Sequence, residues 1–78
     1  MIAGTLSLVA LLGGESSLAQ ATWYVDNIGQ GTGRHSLTVK TAPGNHVVCA
    51  WREGMAKARC KTVTAGAGRT TIVGIGVD

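Results

Sequence analysis

The stretch Ser36-Leu37-Thr38-Val39-Lys40-Thr41-Ala42-Pro43-Gly44-Asn45-His46-Val47-Val48-Cys49-Ala50-Trp51 decides the fold class. Its first six residues alternate, with Leu37 and Val39 on one face and Ser36, Thr38 and Lys40 on the other. That period of two marks a half-buried strand. Ala42-Pro43-Gly44-Asn45 interrupts it with turn chemistry: proline presets φ at the second position, and glycine accepts φ > 0 at the third. The pattern then resumes from His46, where strand spacing gathers Val47, Cys49 and Trp51 on one face. Strand, turn, strand is the grammar of an antiparallel sheet.

Working outward, three more runs read as strands: Thr22-Trp23-Tyr24-Val25, Cys60 to Thr64, and Thr70 to Val77. The last puts Val73, Ile75 and Val77 on one face, with Ile72 and Gly74 on the other. Between the runs lie Asn27 to Gly33, read as a flexible hairpin loop, then Glu53-Gly54 and Ala65-Gly66-Ala67-Gly68. No stretch of residues 22–78 keeps apolar residues at helical spacing over three turns. The expected fold is all-β: a small antiparallel β-sandwich or open barrel of about five strands, connected as a meander. One conflict stays open. If Cys60 faces inward, strict alternation turns Val63 outward, unless a bulge shifts the phase.

The N-terminal part reads differently. Leu6-Ser7-Leu8-Val9-Ala10-Leu11-Leu12 is a short apolar run, followed by Gly13-Gly14-Glu15-Ser16-Ser17 and the small-x-small triplet Ala19-Gln20-Ala21. The run is shorter than the roughly 20 residues a membrane span needs. With the triplet it has the form of a signal peptide over residues 1–21, although no Lys or Arg precedes it. The competing reading is an N-terminal strand or helix of the folded domain. Cleavage after Ala21 would leave a small β-rich secreted domain, residues 22–78, extracellular or periplasmic, with no stable membrane insertion. Seven Lys and Arg against Asp26, Glu53 and Asp78 would give that part a net charge of +4. Such a charge favours acidic partners without naming one.

Cys49 and Cys60 are the only cysteines. In an exported chain too short for a large core, they are expected to form a disulfide. On the loop-entropy model, closing that loop contributes roughly 2.8 kcal/mol. A metal site through His46-x-x-Cys49 lacks further clustered ligands, and His35 is distant in sequence. No metal or cofactor is expected.

Catalytic sets are weak. His35 and Ser36 are adjacent and so point to opposite faces of a strand. Asp26 could orient His35, but a short chain offers many such triples. Gly29-Gln30-Gly31-Thr32-Gly33 lacks the Gly-Lys-Ser/Thr and the helix of a phosphate-binding loop. The expectation is a protein that is not an enzyme. The stronger feature is the segment between the cysteines. Trp51-Arg52 stands at its mouth, and Trp and Arg are the residues most enriched at binding hot spots. Trp51 is a candidate contact residue, and equally a candidate core tryptophan packed on the disulfide. Trp23 and Tyr24 are a second candidate pair, read as an aromatic platform for a sugar ring or as the edge of the core.

Cys49-Ala50-Trp51, Gly54, Cys60 and Thr62-Val63-Thr64-Ala65 together resemble the neocarzinostatin-type secreted β-sandwich apoproteins. That resemblance implies a small apolar ligand held in a cleft near Trp51. Trp51-Arg52 also resembles two positions of the Trp-Arg-Tyr triplet of tendamistat-type α-amylase inhibitors, with Glu53 in the third. This one implies an exposed inhibitory loop. A second disulfide, present in both families, is missing here. The expected function is a small secreted non-catalytic binding protein using Trp51, Arg52, Trp23 and Tyr24, either a carrier or an inhibitor. Its partner would be an extracellular protein, a polysaccharide or a small apolar ligand, and not a nucleic acid. The alternative is a cationic antimicrobial or envelope-active protein, supported by small size and positive charge.

Overall fold

A computed structural model describes residues 2–12 and 20–77. The described chain is all strand and turn: β1 (Gly4–Leu11), β2 (Ala21–Val25), β3 (Ile28–Arg34), β4 (Ser36–Thr41), β5 (Gly44–Trp51), β6 (Arg59–Ala65) and β7 (Thr70–Gly76). They form two sheets, one of three strands in the order β4-β1-β7 and one of four in the order β3-β2-β5-β6. The inner faces of both contribute to one apolar core. The arrangement is sandwich-like, and one disulfide joins the neighbouring strands β5 and β6 of the four-stranded sheet.

The run 6–12, read from sequence as the apolar part of a leader, begins inside β1, the middle strand of the smaller sheet. Its alternation explains the fit. Leu6, Leu8 and Ala10 point into the core and are fully buried, while Thr5, Ser7 and Val9 alternate with them on the half-buried face. β1 pairs antiparallel with β4 and parallel with β7. In the structure of the whole chain, residues before Thr22 thus pair with β4 and β7. Ala19 of the cleavage triplet lies outside the described residues.

The connectivity is not a meander. β2–β3 and β5–β6 are hairpins within the larger sheet. The chain crosses between sheets from β1 to β2, from β3 to β4, from β4 to β5, and from β6 to β7. The Pro43-Gly44 turn thus joins strands of different sheets. β3 itself is absent from the sequence reading, which placed a loop there. The β2–β3 turn is Asp26-Asn27, both with positive φ (51° and 67°). Asn and Asp tolerate that region better than other non-glycine residues, and two such residues in succession match the twist of a tight hairpin. As an edge strand with little to bury, β3 needs no apolar face, and its register against β2 shifts twice.

The conflict over Val63 resolves through β5. Val48 and Ala50 are fully buried, so they form the inner face, and Val47, Cys49 and Trp51 share the outer one. Cys60, opposite Cys49, is outer as well, which turns Val63 and Ala65 toward the core without a bulge. The tryptophan of the core is Trp23, fully buried, with its Nε1 donating to the Arg34 carbonyl at 2.9 Å. That bond satisfies its one polar atom. Along one side, the Lys61 ammonium donates to the Gly74 carbonyl and the Thr71 hydroxyl to the Thr64 carbonyl, tying β6 to β7 across the two sheets.

Candidate functional site

Pairing register builds the site. Tyr24 on β2 lies opposite Cys49 on β5, which lies opposite Cys60 on β6. Trp51 is two residues along β5 from Cys49 and therefore on the same face. The disulfide Cys49–Cys60 spans the two strands, with Cα atoms 4.0 Å apart. Tyr24, Asn27, Cys49, Trp51, Ala58 and Cys60 line an open depression of about 640 Å³ on this outer face. Tyr24 and Trp51 are half-buried, so each keeps part of its ring at the surface.

The segment between the cysteines folds back on Trp51. The indole Nε1 donates to the Met55 carbonyl at 3.0 Å, and the Met55 amide donates to the Arg52 carbonyl at 3.0 Å. Met55 packs against the edge of the core. Arg52 is held through its Nε, which donates to the Val77 carbonyl at 3.0 Å. A second depression, about 430 Å³, runs along Arg52 to Arg59. A third, about 450 Å³, is bordered by Trp51, Arg52, Glu53, Thr22, Thr32 and Leu12, among others. Trp51 and Arg52 stand where the three meet.

Of the residues expected from sequence, Trp51, Arg52 and Tyr24 are brought together. Trp23 is not. Neighbours on a strand face opposite ways, so Trp23 fills the core while Tyr24 faces out, and the pair forms no common platform. The aromatic partner of Tyr24 across the depression is Trp51.

A polar cluster escaped the sequence reading. His46 Nδ1 lies 2.5 Å from the Asp26 carboxylate, whose other oxygen accepts the Val47 amide at 2.9 Å. His46 Nε2 lies 2.6 Å from the Ala42 carbonyl and 3.2 Å from the Thr41 hydroxyl. The hydrogen bond with Asp26 and the Ala42 carbonyl raise the His46 pKa above its ordinary value, and the bond from His46 lowers that of Asp26. Asp26 thus orients His46 rather than His35. The Asp-His-Thr order has the outline of a catalytic triad, but a general base needs a free lone pair on Nε2. Here a carbonyl acceptor sits closer to that nitrogen than the hydroxyl does, which favours a proton on it. The cluster fits a structural clamp between the Asp26-Asn27 turn and the β4–β5 crossover. The signal that could have found it is Asp26 in a tight turn, whose carboxylate is then available to a neighbouring strand.

Among the described residues no three His, Cys, Asp or Glu side chains converge as a metal site. Among the described residues, no helix is long and apolar enough to cross a membrane. No family model matches the chain, and no curated protein matches it. The neocarzinostatin-type and tendamistat-type resemblances therefore rest on the quoted residues alone.

Proposed function

We propose that this chain is a small non-catalytic binding module working outside the cytosol, with the outer face around Tyr24 and Trp51 as its ligand site. One observation carries the reading: two partly exposed aromatic rings flank a disulfide across an open depression. Aromatic rings offer large contact area at low conformational cost, and the disulfide and strand pairing hold these two in place before any ligand arrives. Of the two versions expected from sequence, the geometry favours a carrier of a flat ring over an inhibitor. An inhibitor would present the Trp51 indole free at a loop tip, whereas here its N–H is already bound to the Met55 carbonyl. The extracytosolic setting draws its support from the disulfide, which persists in oxidising compartments.

Acrylamide quenching of the oxidised protein tests this. Trp51 should account for the quenchable emission and Trp23 for the shielded part. Saturating naphthol or a neutral hexose oligomer should protect Trp51, and Tyr24→Ala should weaken that protection. If neither naphthol nor the hexose oligomer protects Trp51, the carrier reading fails.

A further inference from the structure

The ligand class can be narrowed, on the assumption that the Tyr24–Trp51 face is the binding site. We infer that the site takes an acidic sugar chain, with a pyranose ring on the aromatic depression and a carboxylate on the neighbouring basic one. The two depressions adjoin: Ala58 lines both, and Trp51 and Arg52, adjacent in sequence, line one each. The basic depression carries Arg52, Lys57 and Arg59 against a single acid, Glu53. Lys57 and Arg59 are exposed at its rim.

Each half suits one part of such a ligand. The π-face of an aromatic ring is negative, and the axial C–H groups of a sugar ring carry partial positive charge toward it. Asn27, in the same depression, offers an amide that can donate and accept, as ring hydroxyls require. A carboxylate beside the sugar then meets Arg52 and Lys57. Arg52 is the better placed of these, because its Nε bond to Val77 fixes the guanidinium before binding. Nucleic acid needs a basic groove that follows many phosphates past successive stacking rings. Here the cations are gathered at one end of a single pair of rings.

The test is a titration of the oxidised full chain, followed by Trp51 emission, with galacturonate oligomers and neutral galactose oligomers of equal length. At low salt the acidic chain should bind about tenfold more tightly, the scale expected of a few exposed ion pairs. The advantage should shrink as salt screens them. Lys57→Gln should reduce the acidic advantage and leave neutral binding unchanged. Equal affinity for the two chains overturns the inference and leaves the aromatic site standing. Tighter binding of single-stranded DNA than of galacturonate also overturns it. If neither sugar binds while naphthol still protects Trp51, the sugar assignment is wrong and the carrier reading survives.

Discussion

Leu8→Ala distinguishes a strand of the fold from a dispensable leader. Leu8 is fully buried in the middle strand of the three-stranded sheet, within the core shared by both sheets. Truncating such a leucine removes transfer free energy and leaves a cavity, a loss of about 2–5 kcal/mol. At the usual stability per residue, a chain of 78 residues has about 4–12 kcal/mol in total. The substitution therefore takes away a large part of it. With a urea dependence of about 1 kcal/mol/M for so small a domain, a loss of about 3 kcal/mol lowers the midpoint by about 3 M. Trp23 is the reporter: it is buried in the facing sheet and senses global unfolding. Ile72→Ala is the control, because Ile72 is 78% exposed and its loss should change stability by no more than about 0.5 kcal/mol. A Leu8→Ala midpoint as high as the Ile72→Ala one would refute the placement of β1 in the core.

Three further outcomes follow from the same structure. A Cβ at Gly4 would stand 2.8 Å from the Gly66 carbonyl oxygen and 3.1 Å from the Ala65 Cβ, so Gly4→Ala should cost about 1–3 kcal/mol in urea denaturation. Replacing Cys49 and Cys60 together by serine should lower stability by roughly 2.8 kcal/mol on the loop-entropy model, measured against the oxidised wild type. The His46–Asp26 clamp makes stability depend on pH. The His46 contribution, from a raised pKa, is complete below about 6.5 and is lost as pH rises through the folded value. That of Asp26, from a lowered pKa, is complete above about 3.8 and is lost as pH falls through its folded value. The gap in Tm between wild type and His46→Gln should therefore be widest between those two values and narrow on the alkaline side; a gap independent of pH would remove the clamp.

Much of this was legible in the residues. Alternation placed β4 and β7 and grouped the residues that share each face, and the cysteine count with chain length indicated the disulfide. What the residues left open had physical causes. In Thr5-Leu6-Ser7-Leu8 the strand period is present, but Val9-Ala10-Leu11-Leu12 continues it as an unbroken apolar run. Such a run fits a leader as well as a strand covered on both sides. Alternation also tells which residues share a face without telling which face is inward. Val47, Cys49 and Trp51 were correctly grouped, yet the core lies on the side of Val48 and Ala50. The His46–Asp26 pair joins residues 20 positions apart, and the turn that frees the Asp26 carboxylate does not say which strand receives it. The Tyr24–Trp51 pairing likewise depends on β2 lying beside β5, which only the strand order supplies.

The site claim is tested most directly by mapping amide chemical shifts of the oxidised protein on addition of galacturonate oligomer. The account predicts perturbations concentrated at Tyr24, Asn27, Trp51, Arg52, Lys57 and Ala58, with the outer face around Ser7 and Ile72 unmoved. Perturbations centred on the β4-β1-β7 sheet, or spread evenly over both sheets, would contradict it.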